Sequence, residues 1–405
     1  MAVRVALATN IISPYRVPLY SALGSTPRWK FNLFSCCEME FDRQWMPAVN
    51  LPFSHKRSFS LSYKRSTAHR GHVSFTGKSQ VHVPLGLWLD LWRFEPDIII
   101  SDEMGARTLI AATYAFLARK RLAIWFYGTP HTERDINWRK RLLRKVLVRR
   151  ANAFVGMGIE ARRYLQSLGV PGEAIFDAPN AIELRFQPTD LSPKARFETR
   201  QKLGISGLCY LYTGALIARK GVGELLEAWE TFSRDANVDV SLVLVGDGPA
   251  KESLARRVTQ RGLRGVKFIP FVQPHALSPF YHEADVLVFP TLEDQWGLVV
   301  NEAMTFGLPV ICSKYAGCAP DLILEGRNGW SVDPQDRNDL AQALRRAWES
   351  RDKKNAIARE GQALIASLNI QNMSEGFRRA VEFARFRAKP RLQDSTLFTP
   401  HKISD

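Results

Sequence analysis

Short runs of Val, Ile, Leu and Phe recur along the chain without strict alternation, and segments of helical length separate them. A strand with one wet face alternates apolar and polar residues, whereas a run apolar at every position marks a strand covered on both faces, as in a parallel sheet sandwiched by helices. In the first half the runs are VRVALAT, FNLFSCC, DIIISD, LAIWFYG and NAFVGMG; in the second they are CYLYTGAL, SLVLVGDG, VKFIPF, DVLVFPT and LPVICS. This pattern predicts an α/β protein made of two doubly wound parallel-sheet units in tandem. The stretch APNAIELRFQPTDLSPKARFETR (178–200), with three prolines, reads as the linker and divides the chain into domains at 1–185 and 186–372. Residues 40–82 show no clear period and predict a long irregular insert. MSEGFRRAVEFARFRA (373–388) predicts an amphipathic helix that packs back on the first domain, followed by a flexible tail over 389–405.

Size and composition fit this division, since 405 residues with 45% hydrophobic content supply a core for each domain. The apolar runs are far shorter than the roughly 18 residues of a membrane span, and the N-terminus has the pattern of a strand without a secretory cleavage site, so a cytoplasmic location is expected. Five cysteines without a C-x-x-C pair and eight histidines without H-x-x-x-H spacing point to buried thiols and to no bound metal. Charge adds something the pattern lacks. The formal net charge is +16, and residues 1–180 hold 26 Lys/Arg against 13 Asp/Glu, so the first half carries most of the excess. Such a surface meets something anionic: a membrane, an acidic substrate or nucleic acid.

The stretch TLEDQWGLVVNEAMTFGLPVI (291–311) carries chemistry. Gly307 and Pro309 end a helix that starts near Gly297, so the amides of Trp296, Gly297 and Leu298 stand at a helix N-terminus, where phosphate binds. Glu302 lies more than a turn inside that helix. A carboxylate beside a diphosphate is repelled unless hydroxyls donate to it, and the vicinal diol of a ribose supplies two donors. Asp294, in the loop before the helix, can serve another polyol. The bland alternative is a capping Asp294 and a surface-paired Glu302.

With these residues the second half resembles a family-4 glycosyltransferase of the GT-B fold. That family's signature is Glu-x7-Glu, then Ala-Met and Gly-x-Pro-Val-Ile; here Asp294, Gly297, Glu302, Ala303, Met304, Gly307, Pro309, Val310 and Ile311 stand in register. The resemblance implies that Glu302 holds the ribose, that Asp294 contacts the donor sugar, and that the amides of Gly297 and Leu298 bind the distal phosphate. YTGALIARKGVGELLEAW (212–229) resembles the family's strand, Gly loop and Lys-Gly segment, which places Lys220 on the donor diphosphate with Gly214 and Arg219 nearby. LVLVGDGP (242–249) lacks the third glycine of a dinucleotide fingerprint but recurs in the family, as does FIPFVQ (268–273), whose turn around Val272 is expected beside the nucleotide base.

The first half is less specific. TNIISPYRVPLYSAL (9–23) is similar to an opening in one branch of the family, with Arg16 a candidate ligand for acceptor or donor phosphate or else an interdomain ion pair. YGTPHTERD (127–135) resembles the same branch, and His131 follows a strand end, where ligands of α/β sheets gather; a structural histidine is the alternative. Two departures bear on activity: Asp294 replaces the usual Glu, and Ala215 stands where many members carry a cation.

The resemblance implies two Rossmann-like domains facing across a cleft and retaining transfer of a hexose from a UDP- or GDP-sugar, with Asp294, Lys220 and His131 as catalytic candidates. No cofactor is expected; the absence of D-x-D points away from a metal-held diphosphate and leaves that task to Lys220 and helix amides. Nucleic acid is not expected as a partner. A weakly active or inactive scaffold homologue in polysaccharide assembly and a GT-B epimerase stay open as alternatives. Finally, NWRKRLLRKVLVRR (137–150) carries seven Lys/Arg and no acid, with Trp138, Leu142 and Val146 on one helical face and Leu143 and Leu147 beside them. That pattern predicts a helix lying on anionic lipid, a lipid-linked saccharide acceptor in cell-surface polysaccharide or glycolipid synthesis, and a peripheral place on the inner face of the plasma membrane. The alternative is a core-packed helix with a solvated basic face.

Overall fold

The computed structural model describes residues 2–41, 45–69, 75–183, 198, 200–234, 239–387 and 389–393. Most of the expected linker and of the expected tail lies outside them. Two compact units are present: one built from most of the chain up to Ala181 together with the segment from Asn369, the other from Ile182–Leu368.

In chain order the strands of the N-terminal unit are β1 (Val3–Thr9), β2 (Trp29–Ser35), β3 (His55–Arg57), β4 (Leu61–His69), β5 (Phe75–Val83), β6 (Ile98–Asp102), β7 (Arg121–Phe126), β8 (Ala153–Gly156) and β9 (Ile175–Asp177). Seven form one parallel sheet in the order β3-β2-β1-β6-β7-β8-β9. The apolar runs become its strands because both faces are covered: every residue of β6 and β8 is buried. The order reverses between β1 and β6, so the chain leaves these strands in opposite directions and opens a crevice at their C-terminal ends. Residues 40–82 differ from the irregular insert expected. They supply β3 at the sheet edge and a separate two-stranded sheet, β4-β5, elements whose weak alternation hides them in the sequence.

The C-terminal unit holds β10 (Leu208–Thr213), β11 (Val240–Val245), β12 (Val266–Ile269), β13 (Val286–Phe289), β14 (Val310–Ser313) and β15 (Gly329–Val332). All are parallel, in the order β12-β11-β10-β13-β14-β15, with the reversal between β10 and β13.

The helix Ile370–Phe386 belongs to the N-terminal unit although it follows the whole C-terminal one. Asn369 caps it by accepting from the Asn372 amide at 2.9 Å. Its buried stripe of Ile370, Met373, Phe377, Ala380, Val381 and Ala384 lies in the core formed with β1, β6, β7 and β8. Phe377 meets Trp125 edge-on at 4.9 Å. Gly376 permits the close approach, because a Cβ there would sit 2.3 Å from the Asp177 carbonyl oxygen.

On an isolated helix Gly→Ala gains about 1 kcal/mol in propensity. Here the methyl meets backbone, so Gly376→Ala is expected to destabilise by about 1–3 kcal/mol, read as a lower urea midpoint. A raised midpoint would mean the helix does not pack at this distance.

Candidate active site

The reversal between β10 and β13 gathers the residues singled out in the second half. β10 ends at Thr213 and leads through Gly214 and Ala215 to a short turn, Ala218–Lys220; β13 ends at Phe289 and leads through Pro290 to the helix Leu298–Thr305. The two connections are stitched together. The Leu292 amide donates to the Arg219 carbonyl at 2.9 Å, and Arg219 Nη1 donates to the Glu293 carbonyl at 2.7 Å. The Lys220 ammonium pairs with Asp294 Oδ2 and lies 5.3 Å from the centre of the Phe289 ring. Asp294 Oδ1 accepts from the Trp296 amide at 3.1 Å. Burial opposes charge on Asp294, but Lys220, Arg219 and the Trp296 amide outweigh it and hold the carboxyl below its ordinary range. Each carboxylate oxygen keeps lone-pair capacity beyond these bonds.

The Trp296 amide was expected to face a phosphate and is instead taken by Asp294. The indole of Trp296 is buried and donates to Asn301 at 2.9 Å, which pins the start of the helix. Gly297 caps that helix with φ of 109°, and a Cβ there would come within 2.5 Å of the Phe289 ring, so glycine is required twice over. Among the described residues the amides of Gly297 and Leu298 have no protein acceptor, leaving two donors at a helix N-terminus.

Glu302 sits one turn further in and is buried. The Tyr281 hydroxyl donates to Glu302 Oε2 at 2.5 Å and lies 3.2 Å from Thr213 Oγ1. Since the tyrosine proton points at the carboxylate, the threonine hydroxyl is the donor in the second contact. Burial raises the Glu302 carboxyl to about 7, although Tyr281 opposes the shift. Tyr281 and Thr213 escape any sequence argument; an isolated tyrosine in SPFYHEAD carries no signal until the fold sets it against Glu302. Val272 lies in the half-buried turn after β12, where the neighbouring Phe271 amide donates to Asp247 Oδ2 at 2.7 Å.

Arg16 and His131 belong to the N-terminal unit. Arg16 begins the helix Val17–Gly24 that follows β1, and His131 is in the loop after β7, its carbonyl accepting from Arg134 Nη1 at 2.5 Å. The basic helix forms at Trp138–Arg150, capped by Asn137. Leu147 and Val148 enter the core, and Arg144 turns inward onto Glu133, so Arg144 is no surface charge. Trp138, Leu142 and Val146 remain exposed at 68%, 54% and 39%.

Two parallel-sheet units, the second with an acid-bearing helix at its switch point, define the GT-B architecture. Residues 195–364 match the model of the family described as Glycosyl transferases group 1. It is 35% identical over 146 residues to the sulfoquinovosyl transferase SQD2 of Arabidopsis thaliana, covering 35% of this chain and 28% of that protein. It is 27% identical over 308 residues to the alpha-D-kanosaminyltransferase of Streptomyces kanamyceticus, covering 70% and 79%. It spans about half the length of several other curated relatives, which include D-inositol 3-phosphate glycosyltransferases. Anabaena HepE in complex with UDP-glucose has a similar fold, with a TM-score of 0.69 at 18% identity over 94% of this chain and 99% of that one.

A carboxyl raised from 4.5 to about 7 has a definite sign in stability. Between those values the folded state binds more protons than the unfolded chain, so stability falls as pH rises through the interval, by about 3 kcal/mol in all. Glu302→Gln removes the charge and should raise the melting temperature at pH 8 while changing it little at pH 5. Equal shifts at both pH values would contradict burial of the ionised group.

Proposed function

We propose that the chain is a retaining glycosyltransferase that moves a hexose from a UDP- or GDP-sugar to a lipid-linked saccharide in polysaccharide or glycolipid synthesis. The observation that carries this is the grouping, at one switch point, of a buried Glu302, two open helix amides and the Lys220–Asp294 pair. The ribose diol donates to Glu302, replacing the water that burial removes. The distal phosphate sits on the amides of Gly297 and Leu298, and Asp294 accepts from hydroxyls of the hexose. The acceptor hydroxyl forms a bond to the anomeric carbon as the carbon–oxygen bond to the diphosphate breaks. The diphosphate leaves with that electron pair and takes up the hydroxyl proton, and attack on the face it vacates retains configuration. Lys220 and the amides stabilise the growing charge on the diphosphate. Because Lys220 reaches Asp294, the shorter acid is held in place, which favours an active enzyme over a scaffold.

Glu302→Ala should weaken UDP or GDP by roughly 10- to 100-fold, the loss of an ionic acceptor for two hydroxyls. Asp294→Asn should spare the bare nucleotide, which has no hexose to lose, yet lower turnover. Calorimetry with the nucleotide and the intact donor separates the two roles, and equal losses for both ligands in the Asn variant would make Asp294 a loop residue only.

The reading of a lipid-linked acceptor draws its support from the surface of the N-terminal unit. Beside the exposed stripe of Trp138, Leu142 and Val146, the helix Ala106–Leu117 exposes Phe116 and Leu117, and the helix Leu87–Phe94 exposes Trp92. The Arg150 guanidinium lies 4.2 Å from the Phe116 ring centre, so cations border the apolar side chains. This mixture suits the interface of an anionic bilayer. No described helix is long and apolar enough to cross one. Vesicle sedimentation should require anionic lipid and weaken with salt. The exposed Arg139, Arg141 and Arg149, replaced together by Gln, should lower vesicle affinity roughly 100-fold at about 1 kcal/mol per charge. Binding indifferent to lipid charge would leave a soluble acceptor.

A further inference from the structure

The crevice between β1 and β6 in the N-terminal unit holds charged groups that no step above uses. The Arg16 guanidinium lies 4.3 Å from the centre of the Trp125 ring, and among the described residues Nη2 reaches only the Met157 thioether, at 3.5 Å. Among the same residues Nη1 is shut off from solvent without a hydrogen-bond partner, and so is Trp125 Nε1. Among the described residues no carboxylate pairs with Arg16, while the residue as a whole keeps partial exposure. A desolvated cation with no counter-ion is costly to the fold, and fixed anions normally meet it.

Glu103 stands close by, just past the end of β6. Its φ is 58°, a conformation that disfavours any side chain, and its side chain is 40% exposed. The Glu103 amide donates to the Trp125 carbonyl at 2.7 Å, the Trp125 and Tyr127 rings meet edge-on at 5.9 Å and Arg16 lies on the Trp125 ring, so the three groups border one aromatic pair as a cluster. Arg107, the nearest other cation, is committed to Asp102 and Asn10 and comes only within 4.0 Å of Glu103. The cluster therefore offers an unneutralised cation beside a reachable hydroxyl acceptor.

We propose that Arg16, Tyr127 and Glu103 form a subsite for an anionic saccharide, a sugar bearing a phosphate or carboxylate, with the anion on Arg16 and a sugar hydroxyl on Glu103. This deepens the saccharide-acceptor reading and rests on it. Two sources of the anion are separable, a phosphorylated sugar and a uronic acid, and glucose 6-phosphate and glucuronate serve as probes with glucose as the neutral control.

Calorimetry on the full chain, saturated with UDP, should show at least one of the two anionic sugars binding more tightly than glucose. Arg16→Met should weaken that sugar at least tenfold and leave glucose unchanged, and Glu103→Gln should weaken both. A ligand-binding role and a structural one differ in a further readout. Removing an unpaired buried cation leaves the melting temperature of the unliganded protein the same or higher. Loss of several degrees in Arg16→Met, not recovered in Arg16→Lys, would make the residue structural and overturn the subsite. So would displacement of the sugar by UDP, or loss of UDP affinity in Arg16→Met, since Arg16 would then serve the donor. Failure of both sugars to bind beside normal UDP binding sinks this inference alone; failure of nucleotides to bind sinks the function from which it starts.

Discussion

The candidate site depends on the bond between Lys220 and Asp294. It joins the connection leaving β10 to the connection leaving β13, two segments far apart in sequence that the parallel sheet sets side by side. Arg219 and Glu293 add a second tie through backbone. With the loop so fixed, Asp294 can accept the Trp296 amide, Trp296 can bury its indole against Asn301, and the helix bearing Glu302 begins where Gly297 allows. Removal of either charge breaks this tie between the two connections, so the local fold and the site share one origin.

The second constraint is electrostatic and opposite in sign. Glu302 is placed where its charge is disfavoured, and among the described residues one hydroxyl, from Tyr281, supports it. A carboxylate short of donors is suited to a ligand that brings two. The stability forgone by burying this carboxylate is consistent with a group kept for binding rather than for folding. Asp294 shows the contrasting arrangement, an acid already supplied with cations and an amide, which fixes its position.

How much of this was legible in the sequence follows from the range of the forces involved. The strands of both large sheets follow local apolar runs, which is why DIIISD and SLVLVGDG read directly as buried strands, whereas β3 and β9 are three-residue edges with too little pattern to see. Gly297, Glu302 and Lys220 sit in a motif with fixed spacing. Tyr281 and Thr213 do not, because what brings them to Glu302 is the crossing order of the sheet. The basic helix shows the same limit: seven cations in a row are visible, but only the packed structure turns Arg144 inward to Glu133 and leaves Trp138 outside. Arg16 was visible as a cation near a strand end, while its lack of a counter-ion became apparent only in three dimensions.

The return of the helix Ile370–Phe386 to the first sheet has a consequence for synthesis. Phe377, Val381 and Ala384 complete a core whose strands end at Asp177. At 5–20 residues per second the ribosome takes roughly 10–40 s to supply them after β9 has been made. Through that interval Trp125 and its neighbours lack their cover, while the Ile182–Leu368 unit has all of its own residues and can fold at once. The order of maturation is thus the reverse of the order of translation. A nascent chain stalled before Asn369 would present an uncovered face of the first sheet to chaperones, with the second unit already formed behind it.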